Sequence, residues 1–425
     1  MSVADKSVNP WRWIPTLYFG QGLPYVAVMM LSVVMYKNLG LSNTDIAYYT
    51  SWLYLPWVIK PLWSPLVDLV RTKRAWIVAM QLVVGAAFAC VALTLPASQF
   101  VRYTLAFFWL LAFASATHDI AADGFYMLAL EQQKQAAFVG IRSTFYRCAM
   151  IFGQGALVWF AGRMTTHLGD AKTAWQWVFF ALALGFVGLA FAHHFSLPRP
   201  NADATRARST DFFAEFIETF RSFFTKPKLL LALGFMLTYR LGEAQALKLI
   251  APFMLDARDK GGLGFSTEQF GFIYGTIGVL ALSIGGIAGG LVISRNGLRA
   301  WLWPMILAVH LPNLLFVALA FTQPNSPWLV TLAIALEQFG YGFGFAAYLL
   351  FMIWFADGPH KTAHYALCTG FMALGMMLPG MVSGRIQEAL GYPQFFIWVC
   401  VCTLPSMALL HFLNIPADFG RKKEA

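Results

Sequence analysis

The sequence predicts an all-α integral membrane protein of twelve transmembrane helices in two pseudo-symmetric bundles of six. Of its 425 residues, 59% are hydrophobic and only 12% are charged, whereas about 25% are charged in ordinary soluble domains. Apolar windows of about 20 residues, each long enough to cross a bilayer, occupy nearly the whole chain. One polar stretch, residues 196–227, divides these windows into two equal sets.

The predicted helices follow one another with short connections. They span about residues 13–36, 45–66, 76–95, 103–127, 137–162, 175–195, 229–255, 267–294, 300–321, 328–355, 362–387 and 394–415. The N-terminus lacks the pattern of a cleaved signal peptide, so we expect the first helix to be retained. The expected domains are an N-terminal bundle (1–195), a cytoplasmic linker with an amphipathic helix (196–227) and a C-terminal bundle (228–425).

The basic residues predict the orientation of the chain. Lys and Arg are concentrated in alternate connecting segments, which places both termini and the linker in the cytoplasm. This asymmetry explains the net charge of +10 better than a nucleic-acid partner does, because the sequence has no basic soluble domain. The five cysteines lie in apolar spans without ligand spacing, so no disulfide, metal or other cofactor is expected.

The first and eleventh helices contain polar residues within apolar spans. Residues 20–25 combine two glycines and a proline with Gln21 and Tyr25, which weakens the backbone hydrogen-bond ladder in mid-membrane. Such a break indicates either a transport site or a packing kink. His364 lies near the start of the eleventh helix.

The fourth helix places two carboxylates and an imidazole at membrane depth. Asp119 and Asp123 lie at i and i+4 and share one helix face, and His118 precedes them. Charged side chains at this depth cost roughly 2.5 kcal/mol or more each, so they need a reason to be there. They are either neutralised by nearby Arg residues or take part in substrate binding or proton traffic. His118 could relay a proton or bond a backbone carbonyl.

The fifth helix supplies possible cations for these acids. It carries Arg142 and Tyr146 on one face, with Arg147 on the next. Because the fourth helix runs towards the cytoplasm and the fifth returns from it, Asp123 and Arg142 should lie at similar depth. Asp119 and Arg147 should lie deeper, so two acid–base pairs are feasible.

The seventh and tenth helices carry a second set of charges. Arg240 and Glu243 lie at i and i+3 beside Tyr239 and can pair within the helix. Lys248, five residues beyond Glu243, needs a partner elsewhere, a water-filled cavity or a bound anion. Glu337 is an acid within the tenth span.

Charged loop motifs recur in the two halves. Asp68 closes the second helix and Arg74 follows in an Arg-rich turn, which resembles the cytoplasmic loop signature of the major facilitator superfamily. Arg295 and Arg299 repeat that turn after the eighth helix. Two six-helix repeats are typical of facilitator-type transporters. Lys60 lies within the second span.

Other function classes lack their motifs. The sequence has no phosphate-binding loop ending in Lys-Ser/Thr, no zinc-binding helix with two His flanking Glu, and no nucleophile-elbow serine. An enzyme is therefore not expected, and a non-transporting membrane sensor is less expected than a transporter because the connecting loops are short. The sequence favours a secondary transporter with two bundles around a central cavity.

A resemblance to one family covers nearly the whole chain. The chain resembles the AmpG-type permeases of the peptide/acetyl-coenzyme A transporter group, within the major facilitator superfamily. The motifs that carry it are Ser115-Ala116-Thr117-His118-Asp119-Ile120 with Asp123, Tyr239-Arg240-Leu241-Gly242-Glu243-Ala244, Lys60 with Leu62-Trp63-Ser64-Pro65 and Asp68, and Ala366-Leu367. The resemblance implies a major facilitator fold in the bacterial inner membrane. It also implies proton-driven import of anhydromuropeptides for peptidoglycan recycling and a part in β-lactamase induction.

The sequence departs from the AmpG pattern at three positions that bear on cargo. His118 and His364 stand where the family usually has Gln, and Lys248 is an additional cation. Related permeases import siderophores. The cargo is therefore expected to be a muropeptide or another organic anion such as a siderophore.

These observations assign candidate roles, with a monomer, an anionic small-molecule cargo, protons and the bilayer as the expected partners. The proton-coupling candidates are Asp119, Asp123, Glu243, Glu337 and His118. The substrate-binding candidates are Arg147, Arg240, Lys248, Tyr25, Tyr146, Tyr239, Gln21 and His364. The conformational-gating candidates are Asp68, Arg74, Arg295, Arg299, Lys60 and Arg142.

Overall fold

A computed structural model of the chain describes residues 9–200, 203 and 212–421, and these residues form helices and no strand. The α-helices are α1 (Ile14–Val26), α2 (Ser32–Asn38), α3 (Asn43–Trp52), α4 (Leu55–Val70), α5 (Lys73–Thr94), α6 (Phe100–Ala129), α7 (Gln132–Ile151), α8 (Val158–Leu168), α9 (Ala171–Ser196), α10 (Phe212–Phe224), α11 (Leu229–Thr238), α12 (Leu241–Leu255), α13 (Thr267–Phe270), α14 (Val279–Asn296), α15 (Leu298–His310), α16 (Asn313–Thr322), α17 (Pro327–Phe355), α18 (Lys361–Val401) and α19 (Leu404–Leu410). Wider π-helical turns occupy Ala27–Leu31, Phe152–Leu157 and Gly271–Gly278.

Eight helical segments of the described residues are long and apolar enough to cross a membrane. They are Pro10–Asn38, Lys73–Thr94, Phe100–Ala129, Ala171–Ser196, Thr267–Asn296, Leu298–Thr322, Pro327–Phe355 and Lys361–Leu410. Large apolar side chains lie on their outer surfaces: Leu184, Phe191 and Phe195 on α9 are between 69% and 75% exposed. Such a surface suits lipid rather than water. The prediction of a multi-pass membrane protein is confirmed.

The passages outside that set are broken or carry charges. They are residues 43–70, 132–168 and 229–255, which hold Lys60, Arg142 and Arg240. The segment Lys361–Leu410 contains two passages, because α18 is broken at Gly391, whose φ of +76° is accessible to glycine at little cost. With these included, the described residues supply the twelve helical passages that the sequence predicts.

Two helices are interrupted at positions that differ from the expectation. The run 20–25 does not break α1, which continues through Pro24 to Val26; the distortion follows as the π-helical turn Ala27–Leu31. The seventh span is not continuous, because α11 ends at Thr238 and α12 begins at Leu241. The break places Arg240 at the N-cap of α12, where its φ of −108° and ψ of 16° depart from helical geometry.

The described residues form two compact units. Unit 1 comprises those of Met1–Met35 and Ile59–Ser209, and unit 2 those of Tyr36–Val58 and Thr210–Ala425. In unit 1, α5 packs on α6 and α9 while α1 packs on α7; in unit 2, α3 and α12 pack on α18 and α14 packs on α17. The predicted three-part division of the chain stays a prediction.

In the eighth span, Gly285, Gly286, Gly289 and Gly290 form a double small-xxx-small pattern, which is typical of close helix packing, and the structure shows such packing. A Cβ atom at Gly285 on α14 would lie 2.1 Å from the carbonyl oxygen of Phe339 on α17. In the reverse direction, a Cβ atom at Gly342 would lie 2.0 Å from the carbonyl oxygen of Leu282. Backbones this close leave no room for a side chain. Gly290, by contrast, has no neighbouring atom within 4 Å of that position.

We therefore expect Gly342→Ala to destabilise unit 2 by about 1–3 kcal/mol, since the added methyl group must separate α14 from α17. The measurement is the thermal unfolding midpoint of the detergent-purified protein. Gly290→Ala is the matched control and should hold or raise the midpoint, because alanine favours a helix over glycine. Equal midpoints for the two variants would contradict the close packing.

Candidate functional site

The charged residues within the helices form separate clusters in the two units. Those of unit 1 are carried by α4, α6 and α7, and those of unit 2 by α12 and α17. Every cluster includes residues that the sequence proposes as functional.

In unit 1, Asp119 on α6 is bound by groups from two other helices. The ammonium of Lys60 on α4 forms an ion pair with its Oδ2, and the amide of Gln21 on α1 donates to its Oδ1. Lys60, proposed as a gating residue, is thus a cation that sequence reasoning did not assign to Asp119. A pair between Asp119 and Arg147 stays a prediction.

Asp123, one helical turn further along α6, has the partner that the sequence predicts. Arg142 on α7 donates to its Oδ1 at 3.1 Å, and the hydroxyl of Tyr18 on α1 donates to the same atom at 3.3 Å. The guanidinium also lies over the rings of Tyr18 and Tyr126, at 4.7 and 5.2 Å. Aromatic faces stabilise a guanidinium that is partly removed from water. The predicted Asp123–Arg142 pair is confirmed.

His118 belongs to a buried hydrogen-bond chain that the sequence did not reveal. Gln81 on α5 donates to Nε2 of His118 at 3.1 Å and bonds Nδ1 of His193 on α9 at 2.8 Å. Nε2 of His193 bonds the hydroxyl of Thr16 at 2.9 Å. His118, Gln81 and His193 are each at least 98% buried. A polar residue at an apolar helix position, as Gln81 is in α5, was the available signal.

In unit 2, Arg240 and Glu243 form a buried two-point ion pair. The Arg240 guanidinium donates to Oε1 of Glu243 at 2.8 Å and to Oε2 at 3.2 Å, as the i, i+3 spacing predicts. The guanidinium also contacts the rings of Tyr341 and Phe345 on α17, at 5.3 and 5.2 Å. Parallel hydrogen bonds of this kind are strong and fix the orientation of both groups.

Glu337 on α17 is a buried acid without a cation among the described residues. Its Oε2 accepts from the amide of Gln338 at 2.8 Å, and the described residues place no Lys or Arg within ion-pair distance of it. The side chain is 95% buried. Glu337 is therefore in a different electrostatic environment from the ion-paired acids.

Lys248 in the middle of α12 is a buried cation without an acid among the described residues. Its ammonium donates to Oγ1 of Thr50 on α3 at 3.0 Å and lies 5.1 Å from the centre of the Tyr54 ring. The side chain is 98% buried. The contacts of this ammonium among the described residues are thus a hydroxyl and an aromatic ring.

Two of the proposed substrate-binding residues make contacts within the protein, and their role in substrate binding stays a prediction. The hydroxyl of Tyr239 donates to the Gly344 carbonyl at 2.8 Å, and its ring stacks on Tyr348. His364 bonds Oγ of Ser222 on α10 at 3.0 Å, which ties this surface helix to α18.

The remaining candidates lie on the expected elements. Arg147, Tyr146 and Tyr25 are partly buried on α7 and α1. Among the gating candidates, the guanidinium of Arg74 donates to the carbonyl oxygen of His194, so it caps the end of α9. The side chain of Asp68 lies outside the described residues, and Arg295 and Arg299 are exposed near the α14–α15 turn.

The Arg240–Glu243 pair makes a testable contribution to stability. Arg240→Met should destabilise the protein by about 3–5 kcal/mol, because it leaves a carboxylate buried and unpaired. Adding Glu243→Gln removes that charge and should restore most of the loss. Thermal unfolding of both variants in detergent measures the difference, and a double variant as unstable as the single one would contradict the pairing.

The comparisons with known proteins agree with this architecture. A sequence profile of the Major Facilitator Superfamily matches residues 16–384. The chain is 25% identical to the anhydromuropeptide permease of Escherichia coli (strain K12) over 412 residues, covering 95% of this chain and 80% of that protein. It is 24% identical to putative transporter AmpG 4 of Rickettsia conorii, covering 92% of this chain and 94% of that protein.

A solved structure has the same fold. A POT family transporter in complex with 5-aminolevulinic acid superposes with a TM-score of 0.72 at 12% identity, covering 94% of this chain and 95% of that one. At this identity, the likeness shows the fold alone.

Proposed function

The chain belongs to the Major Facilitator Superfamily, and we propose that it imports cell-wall-derived anhydromuropeptides across the bacterial inner membrane. The named Escherichia coli permease supports this cargo, because it is similar over nearly the whole of this chain. The distribution of Lys and Arg supports cytoplasmic termini. The imported fragments would be reused in peptidoglycan recycling. We also propose that the chain acts as a monomer.

The buried cations of unit 2 are the observation that best supports an anionic cargo. Arg240 and Lys248 lie within α12 or at its start, both more than 90% buried. Muropeptides carry several carboxylates, and guanidinium groups bind carboxylates at two points while keeping their charge at depth. In the proposed mechanism, a cargo carboxylate engages Arg240 and displaces Glu243, or engages Arg147, the partner that the sequence predicts for Asp119.

A siderophore is the second candidate cargo. The departures from the AmpG pattern that suggest it differ in their contacts within the protein. Of the three departures from the AmpG pattern, His118 bonds Gln81 and His364 bonds Ser222. These contacts give both histidines a role within the protein. Of the three departures, Lys248 is therefore the one that bears on cargo. Its positive charge favours organic anions in general, so it does not by itself distinguish a siderophore from a muropeptide.

Uptake measurements distinguish the two cargoes. In a strain that lacks its own muropeptide and siderophore permeases, expression of this chain should restore accumulation of labelled anhydromuropeptide. Ferric siderophore should not accumulate above the level of the empty vector. Uptake of the siderophore alone would replace the proposed cargo, and uptake of neither would remove both.

The contacts bear on which acid carries the coupling proton. The sequence ranks Asp119 first among Asp119, Asp123, Glu243 and Glu337. The first three each have a cation at ion-pair distance, which stabilises the ionised form. A carboxyl group buried without a cation is most stable when neutral. We therefore place Glu337 first as the group that gains and releases the proton.

Glu337→Gln should abolish accumulation driven by a pH gradient while retaining downhill exchange of cargo, because glutamine keeps the shape but cannot release a proton. The measurement is muropeptide uptake into proteoliposomes with and without an imposed gradient. Asp119→Asn, Asp123→Asn and Glu243→Gln are the comparison variants and should impair both modes, since each leaves a cation unpaired. If all four variants still accumulate cargo when a pH gradient is imposed, the proton site is elsewhere.

A further inference from the structure

The buried ammonium of Lys248 has more hydrogen-bond donors than the described residues accept from it. The ammonium has three N–H donors, and among the described residues it makes one hydrogen bond, to Oγ1 of Thr50. The Thr50 hydroxyl itself donates to the carbonyl oxygen of Ile46 at 2.7 Å, so it accepts from Lys248 with a free lone pair. Two N–H donors of Lys248 thus remain for another acceptor.

The neighbouring Ser51 supplies a second polar group that is not satisfied. Its side chain is fully buried, and Oγ has no hydrogen-bond partner in the described part of the chain. Leaving a buried hydroxyl unpaired costs free energy, and such groups are rare in folded proteins. The Ser51 hydroxyl and the Lys248 ammonium therefore both lack hydrogen-bond partners in the same region of the described structure.

Gly380 on α18 connects these two side chains in space. A Cβ atom there would lie 2.6 Å from Oγ of Ser51 and 3.4 Å from Cγ of Lys248. Both side chains therefore pack against the same glycine, so the hydroxyl of Ser51 and the stem of Lys248 lie close to each other.

We propose that Lys248, Thr50 and Ser51 form a subsite for one carboxylate group of the cargo. An ammonium buried without an anion is costly, and a carboxylate would compensate its charge and accept its free N–H donors. The subsite differs from Arg240, whose charge Glu243 already neutralises. A single positive charge matches a carboxylate better than a doubly charged phosphate, which would leave one negative charge uncompensated in a buried site. The inference rests on the proposed transport of anionic cargo.

The test compares ligands that differ only in this charge. Binding to the detergent-purified full chain is measured by calorimetry for an anhydromuropeptide tripeptide and for its derivative with all carboxylates converted to amides. The same pair of measurements uses N-acetyl amino acids and their amides as simple probes. The wild-type protein should prefer each carboxylate over its amide by roughly 10-fold or more.

Three variants separate the subsite from its alternatives. Lys248→Met should reduce the preference for the carboxylate to about one, and Lys248→Arg should retain part of it. Ser51→Ala removes a hydroxyl that has no bond in the structure, so it should weaken carboxylate binding without lowering the unfolding midpoint. Lys361→Met is the control, because Lys361 is exposed and pairs with Asp357; it should keep the wild-type preference.

The outcomes keep the two proposals apart. If muropeptide binds with unchanged preference in Lys248→Met, the subsite is wrong and the proposed cargo stands. If muropeptide fails to bind but N-acetyl amino acids bind in a Lys248-dependent manner, the cargo is wrong and the subsite stands. If the wild-type protein prefers no carboxylate over its amide, the subsite is wrong.

Discussion

The cost of placing charge inside a membrane is the constraint on which this structure depends. Asp119, Asp123 and Glu243 each lie within a transmembrane passage, and each is compensated by a cation at ion-pair distance. Most of these pairs join different helices, so they also determine which helices pack together. The break between α11 and α12 fits the same rule, because it places Arg240 where its side chain can reach Glu243.

Sequence reasoning succeeded where partners are related by helix geometry. The Arg240–Glu243 pair follows from an i, i+3 spacing, and Asp123–Arg142 follows from two consecutive antiparallel helices. The close packing of α14 on α17 follows from glycines at four-residue intervals. In the two ion pairs the distance between the groups is set by one helix or by one short turn.

The missed contacts join helices that are distant in the chain. Lys60 reaches Asp119 across 59 residues, and Gln81 bridges His118 and His193 across 37 and 112 residues. Helical periodicity gives the face on which such a residue lies, but it does not give the neighbour of that face. A single buried glutamine therefore predicts a hydrogen bond without predicting its partner.

Unit 2 departs from complete compensation in two opposite ways. Among the described residues, Lys248 is a buried cation without an acid, and Glu337 is a buried acid without a cation. The ion pair Arg240–Glu243 is neutral by itself, and the opposite charges of Lys248 and Glu337 cancel, so a carboxylate at Lys248 and a proton on Glu337 would together leave the buried net charge of these four residues unchanged at zero. Because a low-dielectric interior disfavours net charge, either event alone would leave one uncompensated charge, and each event therefore makes the other more favourable. Binding of an anion and uptake of a proton are then linked through the same electrostatic constraint, without direct contact between the two groups.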